Sequence, residues 1–369
     1  MEFVVEQPLF ARALQTAARV VNPQNTVPAL SGLLLSIRGS ELTITATDMV
    51  SEIRTTVPVR GEEDGEIVLP AGTLTELVAR VPAAELRVLA DGPGTRATVS
   101  WGRSRIDLQG FRPEDRPGFP GLDRPLFRMT LPPGSLPRIA RQTLFACARD
   151  DTRPILKGVY MTLTEGKLVW VSTDGTRLSH SWVPLPELAD STATAVVSSR
   201  AVQEAARLAG LEPVIVEGDG HLVRFTTEQG TMTTVVLEGR YPDYERVLPP
   251  AYVTSLRAPA ALVKGAVDRA ALLAHRDRSA SIRVKYAEGQ LEVSTEASEL
   301  GQTYEVLDVA GEGREIDLSF SPTLLVEALK SIESDDLVWE FAGPQMPARV
   351  SEADNPHYFH IVLPLRQLV

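Results

Sequence analysis

The chain has 369 residues, of which 43% are hydrophobic and 23% charged, and its formal net charge is −11 at pH 7. This composition is that of a globular protein, and the length is enough for two or three domains, so fibrous and disordered classes are excluded. No apolar run approaches the roughly 18 residues of a membrane span, and the first ten residues lack the pattern of a secretory signal.

Three segments share one pattern, an alternating strand followed by a threonine and an acid. They occupy residues 42–48, 168–174 and 291–296, and so recur at domain-sized intervals. Alternation with β-branched residues is typical of strands that bury one face. The sequence therefore predicts three copies of one structural unit.

Helix-like segments stand on both sides of each of these strand regions. Apolar residues at helical spacing, such as Leu9, Leu14 and Ala18, predict a helix before each one. The earlier helices are predicted at 8–21, 134–149 and 260–276, and the later ones at 71–81, 198–209 and 322–332. Each repeat thus reads as helix, strands, helix, strands, which predicts an α+β fold of three domains. The domains are predicted at 1–125, 126–252 and 253–369, with proline-rich junctions at 112–124 and 247–258.

Positive charge is concentrated on the six predicted helices, although the chain as a whole is acidic. The later helices carry Glu76, Glu204 and Glu327 beside their basic residues, but together the six helices have an excess of arginine and lysine. One explanation is that arginine is simply a good solvated helix former. Repeated in three domains, the segregation instead favours helices that face a common polyanion, through phosphate contacts independent of base sequence. Few aromatic residues on the helices are available to stack unpaired bases, which favours duplex DNA.

The chain lacks the short motifs of common enzymes. It has no phosphate-binding loop, no dinucleotide-binding glycine pattern and no HExxH. His357 and His360 are predicted on opposite faces of a strand, which argues against a shared metal. The single cysteine, Cys147, excludes a disulfide within the chain and is predicted to be a small buried residue in a reducing, cytoplasmic setting. We expect no catalytic residues, no cofactor and no metal.

Several sequence stretches carry a resemblance to a known family. They are residues 173–178 (TDGTRL), 239–249 (GRYPDYERVLP) and 362–366 (VLPLR), with 30–35 and 68–71 in support. Over essentially its whole length the chain resembles the bacterial β sliding clamp, the processivity subunit of DNA polymerase III. The resemblance implies three domains of one fold, and a head-to-tail dimer that forms a closed six-domain ring around duplex DNA, with the helices inside. It also implies binding of the polymerase catalytic subunit, the clamp loader and other proteins through short linear peptides.

The resemblance also implies site residues. The peptide-binding pocket falls on Leu156, Thr173, Gly175, Arg177, Leu178, Pro242, Arg246, Val247, Ile361, Leu363, Pro364, Leu365 and Arg366. From the sequence alone, Leu178, Val247 and Leu363 are equally well explained as core residues. Thr176, Arg278 and Leu324 differ from the residues that many family members have at the pocket, which leaves partner specificity open.

Two further sets of residues complete the expected surfaces. The subunit interface is predicted to join Ile106 and Leu108 of the first domain to Leu272 and Leu273 of the third, because apolar side chains are typical of an interface centre. The DNA-facing candidates are Arg19, Arg80, Arg138, Arg141, Arg149, Arg153, Arg200, Arg207, Lys264 and Arg276.

Two alternatives from other classes stay open at the level of sequence. One is a hydrolase on a repeated α+β scaffold, which requires acids in a ligand-sized cleft. The other is an acidic protein-binding scaffold that never encircles DNA.

Overall fold

The computed structural model describes residues 1–82, 84–92, 94–274, 281–295 and 301–365. Within these ranges the chain forms six α-helices and 26 strands, joined in antiparallel sheets. None of the helices in this part of the chain combines the length and the apolar character needed to cross a membrane.

Helices and strands follow nearly the same order in each third of the chain, with four strands between the two helices of the second third and five in the others. The first third contains β1 (Glu2–Glu6), α1 (Gln7–Ala18), β2 (Gly32–Arg38), β3 (Glu41–Thr47), β4 (Ser51–Pro58), β5 (Arg60–Glu63), β6 (Gly65–Pro70), α2 (Ala71–Arg80), β7 (Glu85–Ala90), β8 (Arg96–Trp101) and β9 (Ser104–Gln109). The second contains β10 (Phe127–Leu131), α3 (Ser135–Thr143), β11 (Gly158–Thr164), β12 (Lys167–Thr173), β13 (Arg177–Pro184), β14 (Ala193–Ser198), α4 (Ser199–Ala209), β15 (Val214–Gly218), β16 (Leu222–Thr227) and β17 (Gly230–Val235). The third contains β18 (Thr254–Pro259), α5 (Ala260–Ala274), β19 (Ile282–Ala287), β20 (Gln290–Thr295), β21 (Tyr304–Asp308), β22 (Ala310–Gly313), β23 (Ile316–Phe320), α6 (Pro322–Lys330), β24 (Asp336–Phe341), β25 (Ala348–Glu352) and β26 (Tyr358–Val362).

The threefold repeat of the sequence is therefore present in the structure. The sequence missed the short strand that precedes the first helix of each repeat, namely β1, β10 and β18. The helix predicted at 134–149 is also too long, because α3 ends at Thr143 and is followed by a 3₁₀ turn and extended chain. The Thr143 hydroxyl donates back to the Ile139 carbonyl (2.7 Å), and the Thr143 carbonyl accepts from the Ser172 hydroxyl (2.6 Å). These bonds satisfy backbone groups at the helix end, so the helix ends there.

The chain divides into two compact units. The first comprises Met1–Pro137 with Arg200–Val236, and the second Arg138–Ser199 with Leu237–Val369. The first unit contains a five-stranded sheet, β5-β1-β7-β8-β9, and an eight-stranded sheet, β10-β15-β16-β17-β4-β3-β2-β6. The second contains a nine-stranded sheet, β14-β11-β12-β13-β26-β25-β24-β18-β22, and a four-stranded sheet, β21-β20-β19-β23.

The two large sheets each run across a junction between repeats. In the first unit β4 pairs with β17, where Ser51 lies opposite Thr234. In the second unit β13 pairs with β26, where Leu178 lies opposite Ile361. Because strand pairing joins neighbouring repeats, the middle repeat is divided between the compact units. The domain boundaries at 1–125, 126–252 and 253–369 stay a prediction.

Within each unit, helices cover a sheet through apolar contacts. In the first unit α1 packs against α2, β3 and β4, and its Phe10 meets Phe3 edge to face at 6.1 Å. In the second unit α5 packs against α6 and β20, over a core that contains Trp339 and Phe320. Proline in the first turn of α1 and of α6 suits a helix start, where the missing amide hydrogen removes no bond.

Candidate functional site

A cavity of about 420 Å³ lies in the second unit. Its walls are mostly apolar, with polar groups at one side. The lining residues are Arg153, Leu156, Thr173, Gly175, Thr176, Arg177, Leu178, Pro242, Asp243, Tyr244, Val247, Pro347, Ile361 and Leu363. A cavity of this size and lining suits a few apolar side chains together with a small number of fixed polar groups.

The turn between β12 and β13 forms the polar side of the cavity. The Thr173 hydroxyl donates to the Arg177 carbonyl (2.5 Å) and accepts from the Gly175 amide (3.0 Å). Asp174 Oδ1 accepts from the Thr176 amide at 2.9 Å and from its hydroxyl at 2.7 Å. Gly175 has φ of +94°, a backbone conformation that side-chain-bearing residues rarely adopt. The turn is thus fixed by its own side chains.

Arg177 is the buried charge of the cavity wall, with 4% of its side chain exposed. Its Nε donates to Asp174 Oδ2 (3.0 Å), and its Nη1 donates to Glu327 Oε2 on α6. The guanidinium also lies over the Phe145 ring, 5.5 Å from the centroid. A buried arginine needs such partners, because an unpaired buried charge is costly.

Nine of the predicted pocket residues line this one cavity. They are Leu156, Thr173, Gly175, Arg177, Leu178, Pro242, Val247, Ile361 and Leu363. Leu178 is buried, but Val247 is 52% and Leu363 38% exposed. The explanation as core residues therefore fails for Val247 and Leu363, which leave apolar surface open to a ligand.

Four predicted pocket residues do not line the cavity or lie outside the described part of the chain. Arg246 is exposed and pairs with Asp243 (2.8 Å). Pro364 is not in the lining, and neither is Leu365, whose amide bonds to the Ser319 carbonyl (2.7 Å). Arg366 falls outside the described residues, as does Arg278.

The cavity also contains residues that were not among the predicted pocket residues. Asp243 and Tyr244 lie inside the stretch 239–249, so that motif contained a signal for them. Pro347 is in a loop with no sequence signal. Arg153, expected to face DNA, lines the cavity and donates to the Asp174 carbonyl (3.3 Å), so its DNA contact stays a prediction.

Most of the candidate DNA-facing arginines are exposed and paired with acids. The pairs are Arg19–Glu204 (4.0 Å), Arg80–Glu76 (3.2 Å), Arg141–Glu333 (2.6 Å), Arg149–Glu327 (2.7 Å), Arg200–Asp48 (3.3 Å) and Arg207–Glu204 (2.7 Å). The arginine is exposed in each pair, whereas Glu204, Asp48 and Glu327 are mostly buried. Of the six pairs, Arg80–Glu76 and Arg141–Glu333 are exposed on both sides, and such pairs are weak, with a median strength of about 0–1 kcal/mol.

The remaining basic candidates are held differently. Arg138 is half-buried, and burial lowers its pKa, partly offset by the charge of Glu352. The Lys264 ammonium donates to the carbonyl of Ile332 just after α6, which restrains it. Arg276 lies outside the described residues.

The predicted interface residues differ in exposure. Leu272 is 69% exposed and Leu273 half-buried on α5. In the first unit Leu108 is buried, whereas the half-buried Ile106 lines a groove of about 660 Å³ together with Leu77 and Trp101. Ile106 and Leu272 thus offer apolar surface to a partner, and Leu108 offers little.

Cysteine and histidine environments bear on the enzyme and metal alternatives. Burial raises the pKa of Cys147 to about 12, so the thiol stays protonated, and its prediction as a buried residue is confirmed. Burial lowers the pKa of His360 to about 3, and His357 packs edge-on against Trp182. Among the described residues no cluster of three or more His, Cys, Asp or Glu is arranged to hold a metal ion.

Sequence comparison adds to this geometry. Family models match at residues 1–120 (DNA polymerase III beta subunit, N-terminal domain), 130–243 (central domain) and 245–366 (C-terminal domain). The beta sliding clamp of Caulobacter vibrioides is 31% identical over 99% of this chain and 100% of its own length.

Solved structures of sliding clamps are also similar to this chain. A crystal structure of the C. crescentus beta sliding clamp superposes with a TM-score of 0.91 at 31% identity, covering 100% of this chain and 99% of that one. A Pseudomonas aeruginosa sliding clamp bound to griselimycin superposes with a TM-score of 0.93 at 27% identity, covering all of both chains.

Three repeats of helices on antiparallel sheets, matched over the whole chain by solved sliding clamps, define a DNA polymerase sliding clamp. The chain belongs to the DNA polymerase III beta subunit family.

Proposed function

We propose that two copies of this chain assemble head to tail into a closed ring around duplex DNA and tether the replicative polymerase to it. The ring acts in the cytoplasm, without catalysis and without a cofactor or metal. Its three domains per chain follow the boundaries 1–125, 126–252 and 253–369. The DNA is held by enclosure, so the contacts to it need only be weak and independent of sequence.

The pairing of repeats carries this proposal. Within the chain, the strand after the acidic turn of one repeat pairs with the last strand of the next, as β4 does with β17 and β13 with β26. The equivalents without a following repeat are β21 of the third repeat and β9 of the first. Both are edge strands within the described residues, and β21 exposes Tyr304 and Val306. Pairing of β21 with β9 of a second copy repeats the same junction and closes the ring.

The exposed arginines on and beside the helices support a DNA-facing surface. Six of them are exposed and paired with carboxylates, and a phosphate of the DNA can compete with the carboxylate for each of them. Such exchange allows the ring to slide, because no contact is strong enough to hold one register.

The cavity in the second unit supports capture of partner proteins. Val247 and Leu363 give it exposed apolar walls, and the β12–β13 turn supplies fixed polar groups. A short linear segment of the polymerase catalytic subunit or the clamp loader fits this chemistry.

Loading onto nicked circular DNA tests the enclosure. We expect the chain, loaded by its clamp loader with ATP, to remain on the circle in high salt and to leave after a restriction enzyme linearises the DNA. Equal loss from circle and linear DNA would indicate an acidic scaffold that binds DNA only electrostatically.

Binding of overlapping peptides from the catalytic subunit and the loader tests the pocket. Leu363→Asp is expected to abolish peptide binding, and Leu211→Asp, at an exposed site outside the cavity, to preserve it.

A further inference from the structure

Glu327 joins two functional surfaces of the second unit. Its Oε1 accepts from Arg149 Nη2 (2.7 Å), and its Oε2 accepts from Arg177 Nη1. Arg177 lines the peptide cavity, whereas Arg149 is 74% exposed and is a candidate DNA contact. One carboxylate therefore holds an arginine from each surface, and we name this arrangement the Glu327 bridge.

The charge balance of the Glu327 bridge makes its two arginines interdependent. Glu327 is 23% exposed, and although burial acts to raise its pKa, hydrogen bonds from Arg177 and Arg149 outweigh this and lower it. The carboxylate is thus charged and shared between two cations. When a phosphate draws Arg149 away, the whole charge is left to Arg177, and that pair strengthens.

Arg177 transmits this change to the cavity wall. Its backbone amide bonds to Asp174 Oδ1 (3.2 Å), its Nε to Asp174 Oδ2, and its carbonyl accepts from Thr173. A firmer hold on the Arg177 guanidinium therefore stiffens the whole turn from Thr173 to Arg177. A stiffer wall loses less conformational freedom when a peptide binds.

We propose that Glu327 is a positioning residue for the peptide pocket and couples it to DNA, so that duplex bound at Arg149 favours peptide binding. The coupling rests on the proposed function, because it needs DNA at the helices and a peptide in the cavity. Thermodynamic linkage makes it reciprocal, so a bound peptide strengthens the hold on DNA by the same factor. A clamp engaged with a partner thus prefers to be on DNA.

The junction between the first and second repeats provides a matched control. Glu204 is the sixth residue of α4, as Glu327 is of α6, and it also pairs with two arginines, Arg19 and Arg207. Its neighbouring turn, which begins at Thr47, ends in Ser51 at the position equivalent to Arg177. Glu204→Gln therefore makes the same change of charge near the helices without touching an arginine of the pocket.

Hydrogen–deuterium exchange of the full-length protein tests the bridge directly. We expect a saturating 30-base-pair duplex at low salt to slow exchange of the 173–177 amides about fivefold, the low end of typical couplings. Glu327→Gln should abolish this effect while the duplex still binds, and Glu204→Gln should retain it. Arg149→Gln should show the slowed exchange even without DNA, because the Glu327 carboxylate then pairs with Arg177 alone. If Glu327 had only a structural role, Arg149→Gln would not slow this exchange.

Peptide affinity completes the test. The tightest of the overlapping catalytic-subunit peptides should bind about fivefold more tightly with duplex than without it, and equally in both conditions to Glu327→Gln. Equal affinity in the parent protein, or the same loss in Glu204→Gln, overturns the coupling alone. A parent protein that binds no peptide, or that leaves circular and linear DNA equally, overturns the proposed function and the coupling with it.

Discussion

At the scale of single residues, one turn is used twice for different purposes. In the first repeat the side chains of Thr47 and Asp48 accept hydrogen bonds from the backbone amides that follow them, as those of Thr173 and Asp174 do in the second. Met49 takes the positive φ (+69°) that Gly175 takes in the other turn. The backbone is thus shared, and the side chain at its end, Ser51 or Arg177, decides whether the turn joins the polar wall of a pocket.

Gly175→Ala should weaken the pocket more than it weakens the fold elsewhere. Alanine at position 175 would have an unfavourable φ of +94°, and its methyl group would lie 2.6 Å from Arg153 Nη2. The control variant, Gly102→Ala, also has a positive φ (+53°), but its methyl group would meet nothing within 4 Å. Backbone strain of this kind costs of order 1–3 kcal/mol. We expect urea unfolding to show a loss in both variants and peptide binding to fall only in Gly175→Ala. Normal peptide affinity in Gly175→Ala would mean that the turn adjusts freely.

Acid should destabilise the chain through two histidines. Burial lowers the pKa of His180 to about 4 and of His360 to about 3, below the ordinary value of 6.5. The unfolded chain therefore binds protons from about pH 6.5 downward while the native histidines stay neutral, so stability present above pH 6.5 is lost as the pH falls towards 4.

The slope of this loss is about 1.4 kcal/mol per pH unit for each histidine at most. His180→Phe retains an aromatic ring that can stack on Phe359 but has no group that titrates in this range. The unfolding free energy of the variant should therefore fall less steeply between pH 6.5 and 5. Urea titrations of parent and variant across that range decide it; identical slopes would show that His180 titrates normally.

At the scale of elements, the exposed side of α5 is expected to be an interface. Leu272→Arg places a charge in the centre of an apolar contact, so light scattering at low micromolar concentration should give the mass of one chain. Leu211→Arg, at an even more exposed leucine outside the predicted interface, should stay dimeric. A dimer in both variants would remove α5 from the interface.

At the scale of the whole molecule, a net charge of −11 is compatible with the proposed DNA binding because positive charge is concentrated on the helices and their flanks. Each phosphate contact contributes about 0.9 to the slope of log affinity against log salt concentration. Arg200→Gln should therefore lower the slope measured with a short duplex, while Arg60→Gln, at an exposed arginine on β5, should not. Equal slopes in all three proteins would place Arg200 away from DNA.

The sequence by itself determined the repeat, the order of helices and strands apart from the short strand that begins each repeat, and helix positions close to the observed ones. These follow from local periodicity, since burial of one face imposes a period of 3.6 or 2 on nearby residues. Resemblance to the family added nine residues that line one cavity. Glu76, Glu204 and Glu327 were visible as acids on the later helices, but only as charges.

Only the tertiary structure decided which distant residues meet. The Ser51 and Thr234 hydroxyls bond at 2.9 Å across 183 residues of sequence, where two repeats share a sheet. Glu327 meets Arg177 across 150 residues. The packing of whole repeats determines which residues pair with an edge strand or a buried charge. Hydrogen bonds and ion pairs depend on distance in space and not on distance along the sequence. Such partners cannot be predicted from a local pattern, so the Glu327 bridge between Arg177 of the cavity and Arg149, a candidate DNA contact, follows from the fold alone.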